Sequence, residues 1–403
     1  MRYFDVVILG AGPAGATTAL ALRKFHPHLS VVMVEACDYQ TQRPGEILTK
    51  EAIPILQQLD VLDFFLEQNH PQWQTAPRAN DEATPTREFG AAVDLQQGWQ
   101  LDRTRFDGML AGYAAASGAS FIRASMTEAR FMTDNSWQIV TQSALHSRLL
   151  NTAFVVDATG RSARFAGEIG VPHAAHDTLV GVGRALALES EDPSDDAPLI
   201  EAFEHGWWYS APTADNRLAV VAMTDADICK RLQLAHTARW SELLQAAPQT
   251  QRRVARLKVA GDVNVRAAHT RSLRSCCGKN WLAVGDAATS VDPISAHGIA
   301  RALRFGMHAS DAIGGHFGDR RSSLGNYEAL VHTEFEQNLS LRADIYRSES
   351  RWENAPFWRR RHHISSSTPG GWAQWKSTLT VSNGLAGGGL RAAEQTAWAP
   401  PRQ

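Results

Sequence analysis

Apolar and polar positions in the first part of the chain predict a strand, a helix and a second strand. Residues 5–9 form a short apolar run suited to a buried parallel strand. A glycine-rich turn follows, and residues 16–23 are rich in alanine and leucine, which favour a helix. Residues 31–34 are again apolar and close on Glu35. The pattern therefore predicts one complete β-α-β unit.

The middle of the chain is patterned differently. Apolar spacing over residues 53–66 predicts helix, and residues 98–109 predict a strand that leads into a helix. Residues 128–142 predict two strands around a turn at Asp134-Asn135, and a further strand follows at residues 154–156. Residues 206–223 read as two strands around an Asp-Asn turn. This texture is typical of an antiparallel sheet, unlike the opening unit.

A second strand-to-helix unit occurs late in the chain. Residues 281–284 are strand-like and end in Gly285-Asp286, and after a turn-rich loop Gly298 begins a helical pattern. Residues 317–366 are mainly helical in pattern, and the tail from residue 367 is expected to be irregular.

Composition adds limits to this picture. The chain has 403 residues, of which 44% are hydrophobic and 20% charged, with a formal net charge of −2. Near-neutrality excludes a general electrostatic attraction to nucleic acid or to an anionic membrane. No apolar stretch is long enough to span a bilayer, and the N-terminus enters a strand directly, so we expect no membrane span and no removable segment. The four cysteines form no disulfide or zinc-site pattern, which predicts a reducing, cytoplasmic location and no metal.

The chain contains twelve tryptophans. Most tryptophans pack in cores, but a ligand pocket also needs apolar walls. In the segment "GWWYSAP" at residues 206–212, Trp207, Trp208 and Tyr209 are therefore candidate substrate-binding residues.

The first turn carries a dinucleotide-binding motif. Gly10, Gly12 and Gly15 form G-x-G-x-x-G between a strand and a helix, the context that this motif requires. The helix N-terminus offers N–H groups to a pyrophosphate, and Glu35, twenty residues after Gly15, is placed to accept hydrogen bonds from ribose hydroxyls. The predicted adenosine-side residues are Gly10, Gly12, Pro13, Ala14, Gly15, Glu35 and Ala36.

The late strand-to-helix unit favours FAD over NAD. An NAD-dependent dehydrogenase has no need of it, whereas the ribityl chain and isoalloxazine ring of a flavin extend well beyond the first motif. Asp286 is placed to accept hydrogen bonds from ribityl hydroxyls, and the helix that starts at Gly298 offers positive charge to a reduced flavin. The predicted flavin-side residues are Gly285, Asp286, Pro293, Gly298 and Ile299.

These motifs resemble a known family. "VVILGAGPAGATTALALR", "RPGE" at 43–46, "LDRTRFDGML" at 101–110, "VVDATGRSAR" at 155–164 and "WLAVGDAATSVDPISAHGIARAL" at 281–303 occur in family order. Together they resemble FAD-dependent monooxygenases of the hydroxybenzoate-hydroxylase fold, in the branch with flavin-dependent halogenases, geranylgeranyl-reductase-like proteins and flavoproteins of tryptophylquinone cofactor biogenesis.

The resemblance implies further cofactor contacts. Arg43 and Glu46 lie in the segment that approaches the flavin or its phosphates in the family, and Arg103 matches an arginine that contacts the cofactor. Ala158, Thr159 and Gly160 match a middle motif against which the cofactor packs. His297, in the loop expected beside the flavin, is a candidate catalytic proton donor or an ordinary loop residue.

Two departures from the family limit what it implies. Flavin halogenases carry a lysine shortly after the region equivalent to 43–60 and a Trp-x-Trp-x-Ile-Pro block. Here no lysine lies between Lys50 and Lys230, and "GWWYSAP" replaces the block, so hydroxylation is favoured over halogenation. "DATG" also differs from the Asp-Gly motif of hydroxylases that react with NAD(P)H, so the electron donor is NAD(P)H used directly or a separate reductase.

The resulting prediction is an α/β protein with a Rossmann-like FAD-binding domain (parallel sheet plus β-meander), an antiparallel-sheet substrate domain and a helical C-terminal region. The predicted divisions are 1–70, 98–177 and 267–316 for the FAD-binding domain, 71–97 and 178–266 for the substrate domain, and 317–403 for the C-terminal region.

The predicted reaction is hydroxylation of an electron-rich aromatic substrate through a flavin C4a-hydroperoxide, with peptidyl tryptophan in tryptophylquinone maturation as the specific expectation. The alternatives are reduction of isoprenoid-like double bonds and a non-catalytic, flavin-stabilised maturation factor for a partner protein. A basic–aromatic segment at residues 347–363 is expected to serve helix ends and domain contacts, or less favourably to dock an acidic partner. No nucleic-acid partner is predicted.

Overall fold

The computed structural model describes residues 2–40, 46–74, 97–187, 197–213, 215, 217–254, 262–318, 320 and 322–362. The strands, in chain order, are β1 (Arg2–Leu9), β2 (Val31–Glu35), β3 (Ile47–Thr49), β4 (Gln72–Gln74), β5 (Gln97–Gln100), β6 (Ser120–Arg123), β7 (Ser125–Phe131), β8 (Trp137–Gln142), β9 (Ser147–Asp157), β10 (His173–Ala175), β11 (Leu179–Ala187), β12 (Leu199–Phe203), β13 (Gly206–Thr213), β14 (Arg217–Asp225), β15 (Asn264–Ala267), β16 (Arg271–Leu273), β17 (Cys277–Gly278), β18 (Trp281–Ala283) and β19 (Thr289–Ser290). The helices are α1 (Pro13–Phe25), α2 (Ile53–Gln58), α3 (Leu62–Glu67), α4 (Arg103–Ala116), α5 (Arg164–Glu168), α6 (Ala226–Arg231), α7 (Thr237–Leu244), α8 (Pro248–Val254), α9 (Gly298–Phe317), α10 (Ser323–Arg347) and α11 (Pro356–His362).

A parallel sheet of order β18-β9-β1-β2-β6 forms the centre of the first domain. The second half of β1, from Val6 to Leu9, is buried throughout, because helices and other chain segments cover both faces of the sheet. The predicted β-α-β unit is confirmed by the parallel pairing of β1 with β2. The predicted β-meander is confirmed as well, since β7, β8 and β9 pair antiparallel in succession.

Helices α1 and α9 pack closely on each other beside this sheet. A Cβ atom at Gly306 on α9 would lie 2.8 Å from the carbonyl oxygen of Ala14 and 2.6 Å from the Cβ of Thr17, both on α1. The absence of a side chain at Gly306 therefore permits this approach. As a result, the first turns of α1 pack directly against the middle of α9, although the two helices are far apart in sequence.

A five-stranded antiparallel sheet of order β12-β13-β14-β11-β15 forms the second domain. Its side chains alternate between two faces, as strand geometry requires. One face packs against α7, with Trp208 and Val220 in a cluster around Trp240. The opposite face is turned toward the first domain. The antiparallel texture predicted for residues 206–223 is confirmed by the pairing of β13 with β14.

The described ends of the stretch 71–97 do not join this sheet. β4 pairs with β5, and β5 pairs with β3, in a separate three-stranded sheet. The residues of the stretch 71–97 that the structure describes therefore lie outside the substrate-domain sheet, contrary to the predicted assignment. Sequence reasoning missed this because β3 and β4 have only three residues each and are joined only through β5.

Helices α10 and α11 confirm the predicted helical C-terminal region and tie the two domains together. Trp358 on α11 donates a hydrogen bond from Nε1 to the carbonyl oxygen of Phe203 at 2.9 Å. Arg361 contacts Asp225 through both guanidinium nitrogens, at 2.7 and 3.1 Å, and Arg360 pairs with Asp225 and Asp227 at 2.8 and 2.7 Å. Two of the three consecutive arginines thus serve a domain contact, the use favoured from the sequence. Within the described residues, no helix is both long and apolar enough to cross a membrane.

Candidate FAD and substrate site

A large cavity lies between the carboxyl edge of the parallel sheet and the five-stranded sheet. Its volume is about 1340 Å³, which exceeds the roughly 300–1,000 Å³ of a typical small-ligand pocket. The walls include the first glycine turn, the loop before α9 and the inner face of the five-stranded sheet. The cavity is thus large enough for a dinucleotide and a substrate together.

Glu35 lies at the end of the cavity nearest to β2. Its carboxylate oxygens accept hydrogen bonds from the backbone N–H groups of Ala11, at 2.6 Å, and Cys37, at 2.7 Å. A carboxylate offers about four lone-pair positions, so these two bonds fix the side chain and leave acceptor capacity for ribose hydroxyls. Ala36 lines the cavity beside Glu35.

The three motif glycines serve different purposes. Gly10 has a φ of +100°, and a Cβ there would lie 2.3 Å from the carbonyl oxygen of Ala158. A Cβ at Gly15 would lie 2.0 Å from the carbonyl oxygen of Gly10. A Cβ at Gly12, in contrast, would meet no protein atom within 4 Å, and Gly12 lines the cavity with Pro13 and Ala14. Gly10 and Gly15 are required by the chain itself, whereas the space at Gly12 is open to a pyrophosphate.

Asp157 holds the middle motif against this turn. Its Oδ1 accepts hydrogen bonds from the backbone N–H of Thr159, at 3.1 Å, and from the Thr159 hydroxyl, at 2.6 Å. Its Oδ2 accepts the backbone N–H of Ala166 at 2.9 Å. Burial raises the pKa of Asp157 despite these donors. The carboxylate therefore shapes the turn, and Ala158, Thr159 and Gly160 line the cavity.

Arg103 lies in the cavity wall between two carboxylates. Its Nε and Nη2 contact Asp107 at 2.8 and 2.6 Å, and its Nη1 pairs with Glu46. Burial alone would lower the pKa of Arg103, but the two carboxylates outweigh burial and raise it. Sequence reasoning identified Arg103 and Glu46 but missed Asp107, although its position four residues later on a helix is a recognisable pairing signal. Arg43 lies outside the described residues.

Asp286 lies in the cavity wall after β18. Gly285 before it has a φ of +62°, and a Cβ there would be 2.8 Å from the Cβ of Ala14. The Asp286 side chain is 38% exposed, but that exposure is toward the cavity. Burial raises the pKa of Asp286, and the guanidinium group of Arg301, 3.9 Å away, opposes this rise.

The N-terminus of α9 is open to the same cavity. Pro293, Gly298 and Ile299 line it, and a Cβ at Gly298 would meet nothing within 4 Å. The first N–H groups of a helix lack intrahelical partners and carry partial positive charge. This end of the cavity therefore fits the electron-rich side of a flavin ring, as the sequence predicted for an FAD site.

His297 does not line the large cavity. It is buried on the other side of the loop, in a separate cavity of about 10 Å³ shared with Glu51, Arg301 and Glu334, which has room for at most about one water molecule. The chain turns at Ala296, which has a φ of 59°, immediately before His297. The prediction of a catalytic role beside the flavin is therefore not supported by the position of this side chain.

The three aromatic substrate candidates are divided between the two faces of the five-stranded sheet. Trp207 and Tyr209 line the cavity, and burial raises the pKa of Tyr209. Trp208, between them, points to the opposite face and packs against Trp240 with ring centroids 5.3 Å apart. Because side chains alternate between the two faces of a strand, the three residues cannot all line the same wall. The assignment of Trp208 to the substrate site was therefore wrong.

The structure adds a hydrogen-bonded chain that sequence reasoning missed. The hydroxyl of Tyr346 donates to Asp292 at 2.8 Å, and the Nε1–H of Trp207 donates to the Tyr346 oxygen at 3.0 Å. Asp292 lines the cavity, and burial raises its pKa. The order Asp-Pro predicts a turn at Asp292, but Tyr346 lies 54 residues later on α10, a distance that no local pattern bridges.

Two small residues complete the substrate side. Gly181 and Gly183 on β11 line the cavity, with Val221 and Met223 of β14 beside them. A Cβ at Gly183 would lie 2.3 Å from the carbonyl oxygen of Val220. At these two positions β11 therefore forms a shallow floor without side chains. Among the described residues, no group of three or more His, Cys, Asp or Glu side chains could hold a metal ion.

One cavity combines a Rossmann-type glycine turn, an acid at the end of the second strand and a second open helix N-terminus. Together these features define a flavin-dependent oxidoreductase. The chain belongs to the tryptophan halogenase family, whose profile matches residues 5–77 and 67–384.

The relatives agree with this class. The chain is 27% identical to a putative FAD-dependent oxidoreductase, LodB, of Marinomonas mediterranea, over 91% of this chain and 99% of the relative. It is 22% identical to a 1H-pyrrole-2-carbonyl-[peptidyl-carrier protein] chlorinase of Pseudomonas fluorescens, over 81% of this chain and 80% of the relative.

Solved structures show the same fold. The flavin-dependent halogenase CmlS superposes with a TM-score of 0.76 at 20% identity, covering 94% of this chain and 70% of that one. The peptidyl tryptophan dihydroxylase QhpG, described as essential for tryptophylquinone cofactor biogenesis, gives a TM-score of 0.67 at 23% identity, covering 91% and 80%. The predicted α/β fold and FAD-dependent enzyme class are confirmed, and so is the resemblance to the halogenase branch. The hydroxybenzoate-hydroxylase description stays a prediction.

Proposed function

We propose that this protein is an FAD-dependent monooxygenase that hydroxylates an electron-rich aromatic side chain, a peptidyl tryptophan in the maturation of a tryptophylquinone cofactor. The similarity to QhpG supports the choice of substrate. LodB, which matches over 99% of its own length, is named only as an oxidoreductase and is compatible with the proposal.

The observation that carries the proposal is the composition of the cavity wall. Among the residues that the structure describes, no lysine lines the cavity, and Lys50 is exposed on the surface. The lysine that the family resemblance associates with halogenation thus has no counterpart there. The substrate side instead offers Trp207, Tyr209 and Met223 around a glycine floor, surfaces that suit an indole ring.

Bound FAD, once reduced, supplies the activation of O₂. One oxygen atom enters the substrate and the other leaves as water, with two electrons drawn from NAD(P)H directly or through a separate reductase.

The residues of this chain bind and orient the reactants. Asp286 and the first N–H groups of α9 hold the flavin end, and Trp207 forms part of the opposite wall. The Tyr346 hydroxyl fixes the Trp207 ring and the Asp292 carboxylate together. Burial raises the pKa of Asp292 above that of an exposed carboxyl group, and a cavity-lining carboxyl group with a raised pKa is a candidate proton donor or acceptor.

The test is oxygen incorporation. The FAD-loaded protein, chemically reduced, is mixed with ¹⁸O₂ and either N-acetyltryptophanamide or a tryptophan-containing peptide, and the products are analysed by mass spectrometry. We expect a gain of one labelled oxygen atom per turnover. Hydrogen peroxide formed without a labelled product would contradict the proposal.

Halogenation is the second candidate, because the family and several relatives are named for it. The same reaction run with chloride or bromide distinguishes the two. A product carrying the halogen isotope pattern, without labelled oxygen, would favour halogenation and would show that a lysine in the cavity wall is not required.

A further inference from the structure

β15 is the edge strand of the five-stranded sheet, and its exposed side faces the large cavity. All four of its residues are exposed, although its neighbour β11 is mostly buried. Within the described residues β15 pairs with β11 alone. An exposed edge of this kind is a template for another extended chain.

The cavity reaches the backbone of this strand and not only one of its faces. Arg266, Ala267 and Ala268 are consecutive, and all three line the cavity. Because successive side chains of a strand point to opposite faces, a cavity that touches both Arg266 and Ala267 reaches around the edge of β15.

The direction of the backbone groups follows from the pairing with β11. The N–H of Ala268 donates to the carbonyl oxygen of Leu179 on the β11 side, at 2.9 Å. Backbone groups alternate in direction along an antiparallel strand, so those of Val265 and Ala267 point away from β11, toward the edge. These two residues offer a new strand its hydrogen bonds.

The register of the sheet decides where the side chain of an added strand points. Arg266 is directly opposite Gly181, and Asn264 is opposite Gly183, so these side chains share the cavity face. A peptide residue opposite Arg266 projects its side chain to the same face, about 10 Å (two strand spacings) from Gly181. The charges beside this edge favour an acidic residue in the peptide. Arg266 lines the cavity, and Arg161 donates from Nη2 to the carbonyl oxygen of His269, just beyond β15.

We propose that an extended segment of a protein substrate, carrying an acidic residue near its reactive aromatic residue, adds to the edge of β15 and presents that side chain to the cavity. This inference rests on the proposed function for the identity of the reactive side chain. Backbone hydrogen bonds supply affinity in this mode of recognition, and the alternating side chains supply selectivity.

The test measures binding of a blocked, fluorescently labelled seven-residue peptide to the FAD-loaded protein by anisotropy. The peptide has a central tryptophan, β-branched neighbours and one aspartate. Ala267→Pro removes an outward N–H without touching the β11 ladder, since proline is tolerated on edges. We expect at least a tenfold weaker Kd for this variant.

Ala175→Pro is the matched control. Ala175 is an exposed alanine on β10, the edge of the three-stranded β10-β16-β19 sheet, and it does not line the cavity. The N–H of His176 donates to Thr270, so the N–H of Ala175 points outward as at Ala267. We expect this variant to bind the peptide as the unmodified protein does.

A second arm leaves the protein unchanged and N-methylates alternate amides of the peptide. One of the two methylation patterns should weaken binding at least tenfold and the other much less, because only one set of amides faces β15. Equal binding of both patterns, undetectable binding of the parent peptide, or an unchanged Kd for a folded Ala267→Pro variant would overturn the docking proposal.

The docking proposal and the proposed function can be contradicted independently of each other. Peptide binding that depends on Ala267, without labelled oxygen in any product, would overturn the proposed function and leave the docking strand in place. Oxygenation together with binding that is insensitive to Ala267 would do the reverse.

Discussion

At the scale of single residues, the glycines of the first turn have two different roles. Gly10 is required for the backbone conformation, and Gly12 leaves space for the cofactor. A side chain at Gly10 would strain the backbone and collide with Ala158, whereas one at Gly12 would only enter the cavity. The sequence motif does not distinguish the two glycines. The structure shows why substitutions at the two positions should have different effects.

Gly10→Ala and Gly12→Ala therefore form a matched pair. Gly10→Ala should lower the free energy of unfolding of the FAD-free protein by about 2 kcal/mol or more, and Gly12→Ala by no more than about 0.5 kcal/mol. Gly12→Ala should instead weaken FAD binding roughly tenfold, or about 1.4 kcal/mol.

Chemical denaturation and flavin fluorescence titration measure the two effects. A Gly12→Ala variant that binds FAD with unchanged affinity would show that the pyrophosphate does not pass over residue 12.

At the scale of secondary-structure elements, the beginning of α4 depends on a buried histidine. The backbone N–H of Asp102, the N-cap residue of α4, donates to the Nδ1 of His70 at 3.3 Å. The His70 ring packs against Phe65 and Phe106, and burial lowers its pKa to about 4. His70 is therefore neutral in the folded protein at pH 5, whereas in the unfolded chain it would be mostly protonated.

This shift has a definite sign. A histidine pKa that is lower in the folded state contributes its full stability above the unfolded value of about 6.5. That stability is lost as the pH falls from about 6.5 to about 4, because the unfolded chain takes up the proton first. The loss attributable to His70 between pH 7.5 and pH 5 is about 2 kcal/mol.

Urea denaturation of His70→Gln at both pH values measures this contribution, and the variant should lose about 2 kcal/mol less than the unmodified protein. His28→Gln, at an exposed position, is the control and should follow the unmodified protein. Parallel pH curves for all three proteins would contradict the assignment.

Much of the element structure follows from local sequence, and the parts that do not have physical reasons. β1, α1 and β2 are predictable because an apolar strand, a glycine turn and helix-forming residues agree over a short stretch. The faces of β13 required knowing which side of the sheet is covered by α7, since both Trp207 and Trp208 are apolar. His297 faces away from the cavity because of a local turn that its sequence neighbours do not specify. Asp292 gains its partner Tyr346 only through tertiary packing, whereas the pairing of Asp107 with Arg103 is local to α4 and was within reach of sequence reasoning.

At the scale of the whole molecule, α11 fastens the C-terminal helices to the substrate-side sheet. Arg361 is buried, contacts Asp225 through two nitrogens, and lies 3.6 Å from the ring centroid of Phe357. Phe357, Trp358 and Tyr346 pack in one cluster with Trp207. This packing connects the outer helix with one wall of the cavity.

Arg361→Ala should lower the free energy of unfolding by about 3 kcal/mol or more, because it leaves the buried Asp225 with less compensation. Arg359→Ala, at an exposed position of the same helix, should change it by no more than about 0.5 kcal/mol. Thermal and chemical denaturation of both variants measures the difference, and equal effects would show that α11 is held by apolar packing alone.

The close crossing of α1 and α9 at Gly306 constrains how this architecture tolerates recombination. The crossing aligns two ends of one ligand site that are encoded nearly three hundred positions apart. A chimera that joins the amino-terminal half of one relative to the carboxyl-terminal half of another inherits the two halves of this junction from different parents. A parent with a larger residue at the crossing would push the two helices apart and with them the adenosine and flavin ends of the site. A small residue at this position is therefore one condition for a functional chimera.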